Sequence, residues 1–315
     1  MADGSLVEFE GQRGRMFGLA YRMLGSAEEA EDVVQDAYIR WAGADHAAIR
    51  SVPAWLAKVV TNICLNRLAS ARTRRERYVG PWLPEPVLTS DGTLGPLDSA
   101  EQRDAVSLAL LTLLERLTPT ERAAFVLREA FGYGHREIAA ALDVSPANAR
   151  QLHRRASLRV GEDRARFTAD PAQWRRLVDR FLRAAGEGDI GGLEELLTDD
   201  VVSWSDGGGR ATAGRRPVVG RARVARLLTG GFGKYLDGVE ISVAEVNGAP
   251  AITGHRGGRL VGVLVVEIAG DRISALRSVL NPEKLRFLSG QSSPPPHPAH
   301  PPLSQLSHPG RHAGS

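Results

Sequence analysis

Residues 135–160, HREIAAALDVSPANARQLHRRASLRV, read as two short helices joined by a tight turn. Ile138, Ala139 and Leu142 recur at helical spacing, and Val144 offers an apolar contact where the first helix ends. Ser145 stands where it can cap the second helix, with Pro146 in the first turn, where a missing N–H costs least. The second helix carries Asn148, Arg150, Gln151, His153, Arg154 and Arg155. A helix-turn-helix lays a basic, amide-bearing second helix of this kind in the DNA major groove. Basic αα-hairpins also occur in ordinary helical bundles, so the flanks decide. Upstream, ERLTPTERAAFVLRE (115–129) predicts a supporting helix, with Thr118 as N-cap, Pro119 at the first helical position and Glu121 three residues on. The Gly132-Tyr133-Gly134 break then leads into the helix pair. Together they make a winged-helix-sized or four-helix DNA-binding unit.

At 315 residues the chain is long enough for two or three domains, and its 43% hydrophobic content supports real cores. The net charge is only +3, so basicity is local. Arg72, Arg74, Arg75 and Arg77 form one cluster, and Arg150, Arg154, Arg155, Arg159, Arg164 and Arg166 a second. Two separated basic patches suit contact with a long polyanion at two places. The lone Cys64 sits in an apolar helical pattern and reads as a buried structural thiol. No cysteine–histidine cluster has zinc spacing, so neither a metal nor a cofactor is expected. The acidic, polar start MADGSLVEFEGQR does not read as a secretory leader, and no apolar run reaches the ~18 residues of a membrane span. The expectation is a cytoplasmic protein with no membrane partner.

Residues 5–78 read as helical: a first helix with Phe9, Met16, Phe17, Leu19, Ala20 and Met23 on one face, and a second capped by Ser26. The second has Val33, Val34, Ala37, Tyr38 and Trp41 as its apolar stripe and Glu31, Asp32, Gln35 and Asp36 as its polar side. After a loop near 43–52, residues 53–77 predict a long helix that starts at Pro53 and ends in arginines. Residues 79–99 form a proline- and glycine-rich linker whose Trp82-Leu83-Pro84-Glu85-Pro86 is stiff and apolar, as docking segments are. Residues 100–168 hold the helix-turn-helix domain. Residues 171–200 predict two helices, followed by strand-like pieces at 201–206, 239–246, 250–256, 259–270 and 272–280, with a helix near 221–229. That order predicts an α+β domain at 171–290 in which a curved antiparallel sheet wraps a helix. The proline- and histidine-rich residues 291–315 read as a disordered tail.

AEEAEDVVQDAYIRW (27–41), VPAWLAKVVTNICLNRLASARTRR (52–75) and RLTPTERAAFVLREAFGYGHREIAAALDVSPANARQLHRRA (116–156), in that order, resemble bacterial sigma factors of the extracytoplasmic-function class. The C-terminal pattern resembles the SnoaL-like branch of the NTF2-like fold. Sigma factors with that extension carry short signatures that stand here as Trp82–Pro86, Asp206-Gly207-Gly208-Gly209-Arg210 and Asn281-Pro282-Glu283-Lys284-Leu285. The family pattern continues the glycines with lysine, and Arg210 keeps the charge but not the point-charge geometry. The resemblance implies two all-α DNA-binding modules, region 2 (5–78) and region 4 (100–168), plus an α+β NTF2-like domain. It also implies a promoter-specificity subunit and not an enzyme. Core RNA polymerase, through its β′ clamp helices and β flap, and promoter DNA would be the partners. The extension would regulate the chain in cis, with no separate anti-sigma protein, and its pocket leaves room for an unknown small-molecule ligand.

Under that resemblance Glu31, Asp32, Gln35 and Asp36 would face the polymerase. Opening the −10 element needs aromatics or amides to hold unstacked bases and cations for the backbone. Trp55, Asn62 and Asn66 are candidates for the first, and Arg67, Arg72, Arg74 and Arg75 for the second. For Trp55, core packing is the favoured alternative. Arg50 and Ser51 could touch a flipped base. For the −35 element, Ser145, Asn148, Arg150 and Gln151 would reach base edges, while Arg154 and Arg155 would hold phosphates. Trp82, Leu83, Pro84, Glu85, Pro86, the Asp206–Arg210 loop and Asn281, Pro282, Lys284 and Leu285 would form the regulatory contacts. An enzymatic alternative needs Asp206 and His255 within hydrogen-bond reach in one cavity, with Trp204 and Arg277 as further lining. Asp206, followed by three glycines and Arg210, reads better as a turn or docking loop than as a catalytic base. An ordinary repressor has no need for the acidic 28–41 helix and the basic 53–77 helix.

Overall fold

The computed structural model describes residues 2–76, 78–89, 105–161, 171–232 and 237–291. The expectations for Arg77, Arg164, Arg166, linker residues 90–99 and the tail from 292 onward lie outside these. Chain contacts divide it into two compact units. The first gathers Met1–Tyr78, Leu83–Arg166 and Asn247–Ala249, and the second Val79–Trp82, Phe167–Val246 and Pro250–Ser315.

The first unit is helical: α1 (Ala2–Glu10), α2 (Arg13–Leu24), α3 (Ala27–Ala42), α4 (Val52–Glu76), α5 (Leu108–Leu114), α6 (Pro119–Glu129), α7 (His135–Leu142) and α8 (Pro146–Gly161). The single first helix expected from the sequence is two, because the chain breaks at Gly11-Gln12. Glycine is a poor helix interior, and the break lets Phe9 and Met16 both reach the core. Ser26 caps α3 by accepting from the Glu29 N–H at 3.1 Å. Ala30, Val33, Val34, Ala37 and Trp41 of α3 are buried, whereas Tyr38, expected in the stripe, is 41% exposed. Cys64 is buried as expected. Thr118 and Glu121 close a reciprocal capping box at the start of α6. α7 ends on Asp143, a non-glycine residue in the left-handed region at φ 53°.

α2 and α4 pack against α6 and α7, so the two helical modules share one body. Arg122 of α6 is central to that packing. It is 3% exposed and donates to the Met23 carbonyl at 2.8 Å and the Glu115 carboxylate at 2.7 Å, and burial pulls its pKa down to about 10. Arg15 and Arg22 of α2 both stack over Phe131, and Lys58 of α4 pairs with Asp143 at 2.6 Å.

The second unit holds α9 (Pro171–Glu187), α10 (Ile190–Leu196), β1 (Leu197–Asp206), β2 (Val218–Val219), α11 (Arg221–Leu227), a π-helical turn (Leu228–Phe232), β3 (Glu240–Val246), β4 (Ala249–Arg256), β5 (Arg259–Ala269), β6 (Arg272–Val279) and α12 (Arg286–Gln291). The strand order is β2-β1-β6-β5-β4-β3. Its helices pack Trp174, Phe181, Leu193 and Leu196 onto Val266 and Leu276 of the sheet. Two expectations are corrected. β1 already starts at Leu197, which the sequence reading placed on a helix, and β1 pairs in parallel with β6, so the sheet is mixed. Consecutive strands joined by two-residue turns can only be antiparallel, as with Gly257-Gly258 between β4 and β5. β1 and β6 are joined through α11 and the other strands, a connection long enough for a parallel crossover.

Candidate nucleic-acid interface

α8 presents Asn148, Arg150, Gln151, Arg154 and Arg155 to solvent, because Ala149, Leu152, Ala156 and Val160 take the buried face. Ser145 is the N-cap: its hydroxyl accepts from the Asn148 N–H at 3.2 Å, so the side chain is engaged in starting the helix. Arg155 and Arg159 both pair with Glu121, itself 2% exposed. Among the described residues Arg154 and Arg150 carry no such pairing, which separates them from Arg155. His153 reaches Glu129 at 2.9 Å and stands beside His135. Desolvation, with Arg128, His153 and Arg150 nearby, lowers the His135 pKa.

On α3, Asp32 and Gln35 are exposed and Glu31 and Asp36 are half-buried. Arg13 binds Glu31 at 2.5 Å, and Arg67 of α4 binds Asp36 at 2.7 Å and Asp32 at 3.5 Å. Arg67 also donates to the Glu29 carbonyl at 3.2 Å. A residue read as a backbone cation for DNA is therefore an α3–α4 tie. Trp55 is half-buried, edge-on to Trp41 at 5.7 Å, with His46 stacked on Trp41 at 4.1 Å. Arg50, Ser51 and Asn66 are exposed and Asn62 is half-buried. Arg72, Arg74 and Arg75 lie on the last turns of α4, and their side chains lie outside the described residues.

The Trp82–Pro86 segment is divided between the units. Within the first unit, Leu83, Pro84, Glu85 and Pro86 are buried. The Glu85 carboxylate accepts from the backbone N–H groups of Ala27 at 2.7 Å and Glu28 at 3.2 Å, so it satisfies the first turn of α3 beside the Ser26 cap. Its backbone N–H donates to the Gly25 carbonyl, and its carbonyl accepts from the Tyr21 hydroxyl at 2.5 Å. Burial raises the Glu85 pKa above the usual carboxylate range. Asn247 closes the same cluster. Its amide donates to the Tyr21 hydroxyl at 2.6 Å and the Val106 carbonyl at 2.8 Å, and its Oδ1 accepts from the Val87 N–H at 3.1 Å.

Within the second unit, Trp82 and the two downstream signatures converge. Lys284 donates to Asp206 at 2.7 Å and lies 4.2 Å from the centre of the Trp82 ring. Asp206 is fully buried, and its carbonyl accepts from the N–H groups of Leu280 and Asn281. Asn281 Oδ1 accepts from the Glu283 N–H, and Leu285 is buried beside it, while Pro282 is exposed. Arg210 pairs with Glu283 at 2.9 Å. The glycines are a geometric need. A Cβ on Gly207 would stand 2.4 Å from the Ala211 carbonyl oxygen, and Gly208 and Gly209 have φ of 56° and 72°. The acid–base pair of the enzymatic alternative does not form: Asp206 is committed to Lys284, and His255 lines a separate hollow with Leu260, Pro282 and Leu285. Trp204 and Arg277 stack on each other at 4.5 Å, with Arg277 paired to Glu267.

Comparison with known proteins bears on these surfaces. The Sigma-70 region 2 family matches residues 9–74 and the Sigma-70 region 4 family residues 107–160. The extracytoplasmic-function sigma factor SigJ of Mycobacterium tuberculosis (strain H37Rv) is 35% identical over 288 residues, which is 88% of this chain and 92% of the relative. This chain belongs to the extracytoplasmic-function sigma factors. The probable sigma factor SigI of the same species is 33% identical over 276 residues, 87% of this chain and 92% of its own. The crystal structure of Mycobacterium tuberculosis SigJ superposes with a TM-score of 0.71 at 32% identity, covering 90% of this chain and 98% of the other. As a sigma factor, the chain serves promoter-specific initiation of transcription by RNA polymerase. Among its described residues no helix is long and apolar enough to cross a membrane.

Sequence reasoning missed Arg122 and Asn247. An arginine mid-helix carries no sign that its head group will be buried. The Asn247-Gly248 pair signals a hairpin turn, but not that its amide will serve Tyr21.

Proposed function

We propose that this sigma factor reads its promoter with α8 at the −35 element and with α4 and the loop before it at the −10 element. Asp32, Gln35 and the rest of the α3 face would meet the β′ clamp helices, and the α5–α8 module the β flap. The C-terminal NTF2-like part regulates the chain in cis, without need of a separate anti-sigma protein. The observation that carries the cis reading is Asn247: a residue from the turn between β3 and β4 belongs to the helical unit and makes three side-chain hydrogen bonds there. Replacing it leaves the Tyr21 hydroxyl and the Val106 carbonyl to find other partners. The test is multi-round transcription with core polymerase and the full chain carrying Asn247→Ala, checked for native circular dichroism. A several-fold change in transcript per bound sigma supports regulation in cis. Unchanged output from a folded variant removes it.

A further inference from the structure

The second unit contains a cavity of about 260 Å³ that the promoter-reading account does not use. Its floor follows from strand register. In the parallel β1–β6 pair, Ser203 stands beside Leu276 and Ser205 beside Ser278, and all four line the cavity. Side chains alternate across a sheet. The intervening Trp204 and Arg277 therefore stack together on the opposite face, with Glu267. The pleat sorts charge to one side of the sheet and hydroxyls to the other. Gly254 and Gly262, direct partners in the β4–β5 pair, also line the cavity, and Val239 of the same wall packs where a Cβ on Gly254 would stand, 3.0 Å away.

The remaining wall is aliphatic, with Leu227 of α11 at the rim, 40% exposed. Among the described residues no charged side chain lines the cavity; its polar side chains are the hydroxyls of Ser203, Ser205, Ser278 and Thr212. No hydrogen bond ties these hydroxyls to another described residue. An apolar hollow with a few convergent polar groups is what small-molecule sites are made of. A charged ligand would lose its hydration here and gain no counter-ion, which is costly. A neutral one would bury its chain and give the serines a partner. A volume of 260 Å³ is room for roughly nine water-sized groups, at about 30 Å³ each.

We infer that this cavity binds a small, uncharged, mainly aliphatic molecule of about ten non-hydrogen atoms bearing a hydroxyl or carbonyl that meets the serine floor. The site is separate from the Asp206–Lys284 cluster and needs no catalysis. The probe is 1-octanol, compared with octanoate, which has the same chain length and a negative head. Binding to the purified full chain is followed by calorimetry and by ligand-observed NMR at pH 8. The expected result is one 1-octanol per chain, held at least tenfold more tightly than octanoate. Leu227→Arg, at the exposed rim, should narrow or reverse that preference by supplying a cation. Ser205→Leu, if its circular dichroism is native, should abolish binding by filling the floor. Octanoate binding as well as octanol, no octanol binding, or full binding by a folded Ser205→Leu would each overturn the inference. The readout involves neither DNA nor polymerase, so its failure is distinguishable from failure of the promoter-reading proposal.

Discussion

Replacing Lys284 by methionine should destabilise the second unit severely, although the substitution is nearly equal in length. Asp206 is 0% exposed and Lys284 6%, and the ammonium is shared between the carboxylate at 2.7 Å and the Trp82 ring at 4.2 Å. Removing one member of a buried pair strands the other, at about 3–5 kcal/mol. For a unit of this size that amounts to a fall in melting temperature on the order of 10 °C. The carboxylate is the group left exposed to the penalty, so Asp206→Asn on the Lys284→Met background should recover most of the loss. Urea unfolding followed by tryptophan fluorescence reads this, with Trp82, Trp174 and Trp204 reporting on the second unit and Trp41 and Trp55 on the first. The informative quantity is the coupling between the two substitutions. A single Lys284→Met within ~0.5 kcal/mol of wild type, or strictly additive substitutions, would refute the view that the converging signatures are held by this pair.

The Glu85 carboxyl is raised by burial, so its protonated form is favoured on folding. Stability relative to Glu85→Gln should be greatest below the ordinary glutamate pKa and fall as pH rises through the folded value. Urea midpoints of both proteins between pH 4 and 7 check the sign, and a rising difference would contradict it. Arg150→Ala should lose about 1–3 kcal/mol of discrimination at one −35 base, on the order of 10–100-fold. Arg159→Ala, whose side chain is engaged with Glu121, should leave base preference intact in the same promoter-variant binding series. Arg67→Ala should cost about 1 kcal/mol through its lost hydrogen bonds to Asp36 and the Glu29 carbonyl. Its heparin affinity should barely change, whereas a large drop would restore the DNA-contact role.

Periodicity and caps made most of the helical unit legible. Ser26, Thr118 with Glu121, and Ser145 all cap where their spacing says they should. These are local devices, settled within one helical turn. The exposed face of α8 was legible for the same reason, since Ala149, Leu152 and Ala156 take the buried side and leave Asn148, Arg150 and Gln151 to solvent. Charge partners were not legible. Arg67, Asp36, Glu31 and Arg155 look like solvated or ligand-facing charges in the sequence, yet each is paired within the chain, because α3 meets both α2 and α4 and α6 meets α8. Trp204 and Arg277 were assigned to a pocket by residue type. Register decides otherwise, and a shift of one residue would exchange the two faces. The parallel pairing of β1 and β6 was hidden too, since no local signal reports a crossover.

The claim that matters most is the sigma role, and transcription tests it directly. Purified core polymerase should be run on a library of host genomic fragments, with the full chain and with a form ending near Ala169, and the 5′ ends of the transcripts mapped. The account predicts start sites that share paired −10 and −35 elements and that lose their −35 preference with Arg150→Ala. It also predicts that the two forms differ in output. If the full chain and the shortened form both yield no promoter-specific transcript, the account is contradicted.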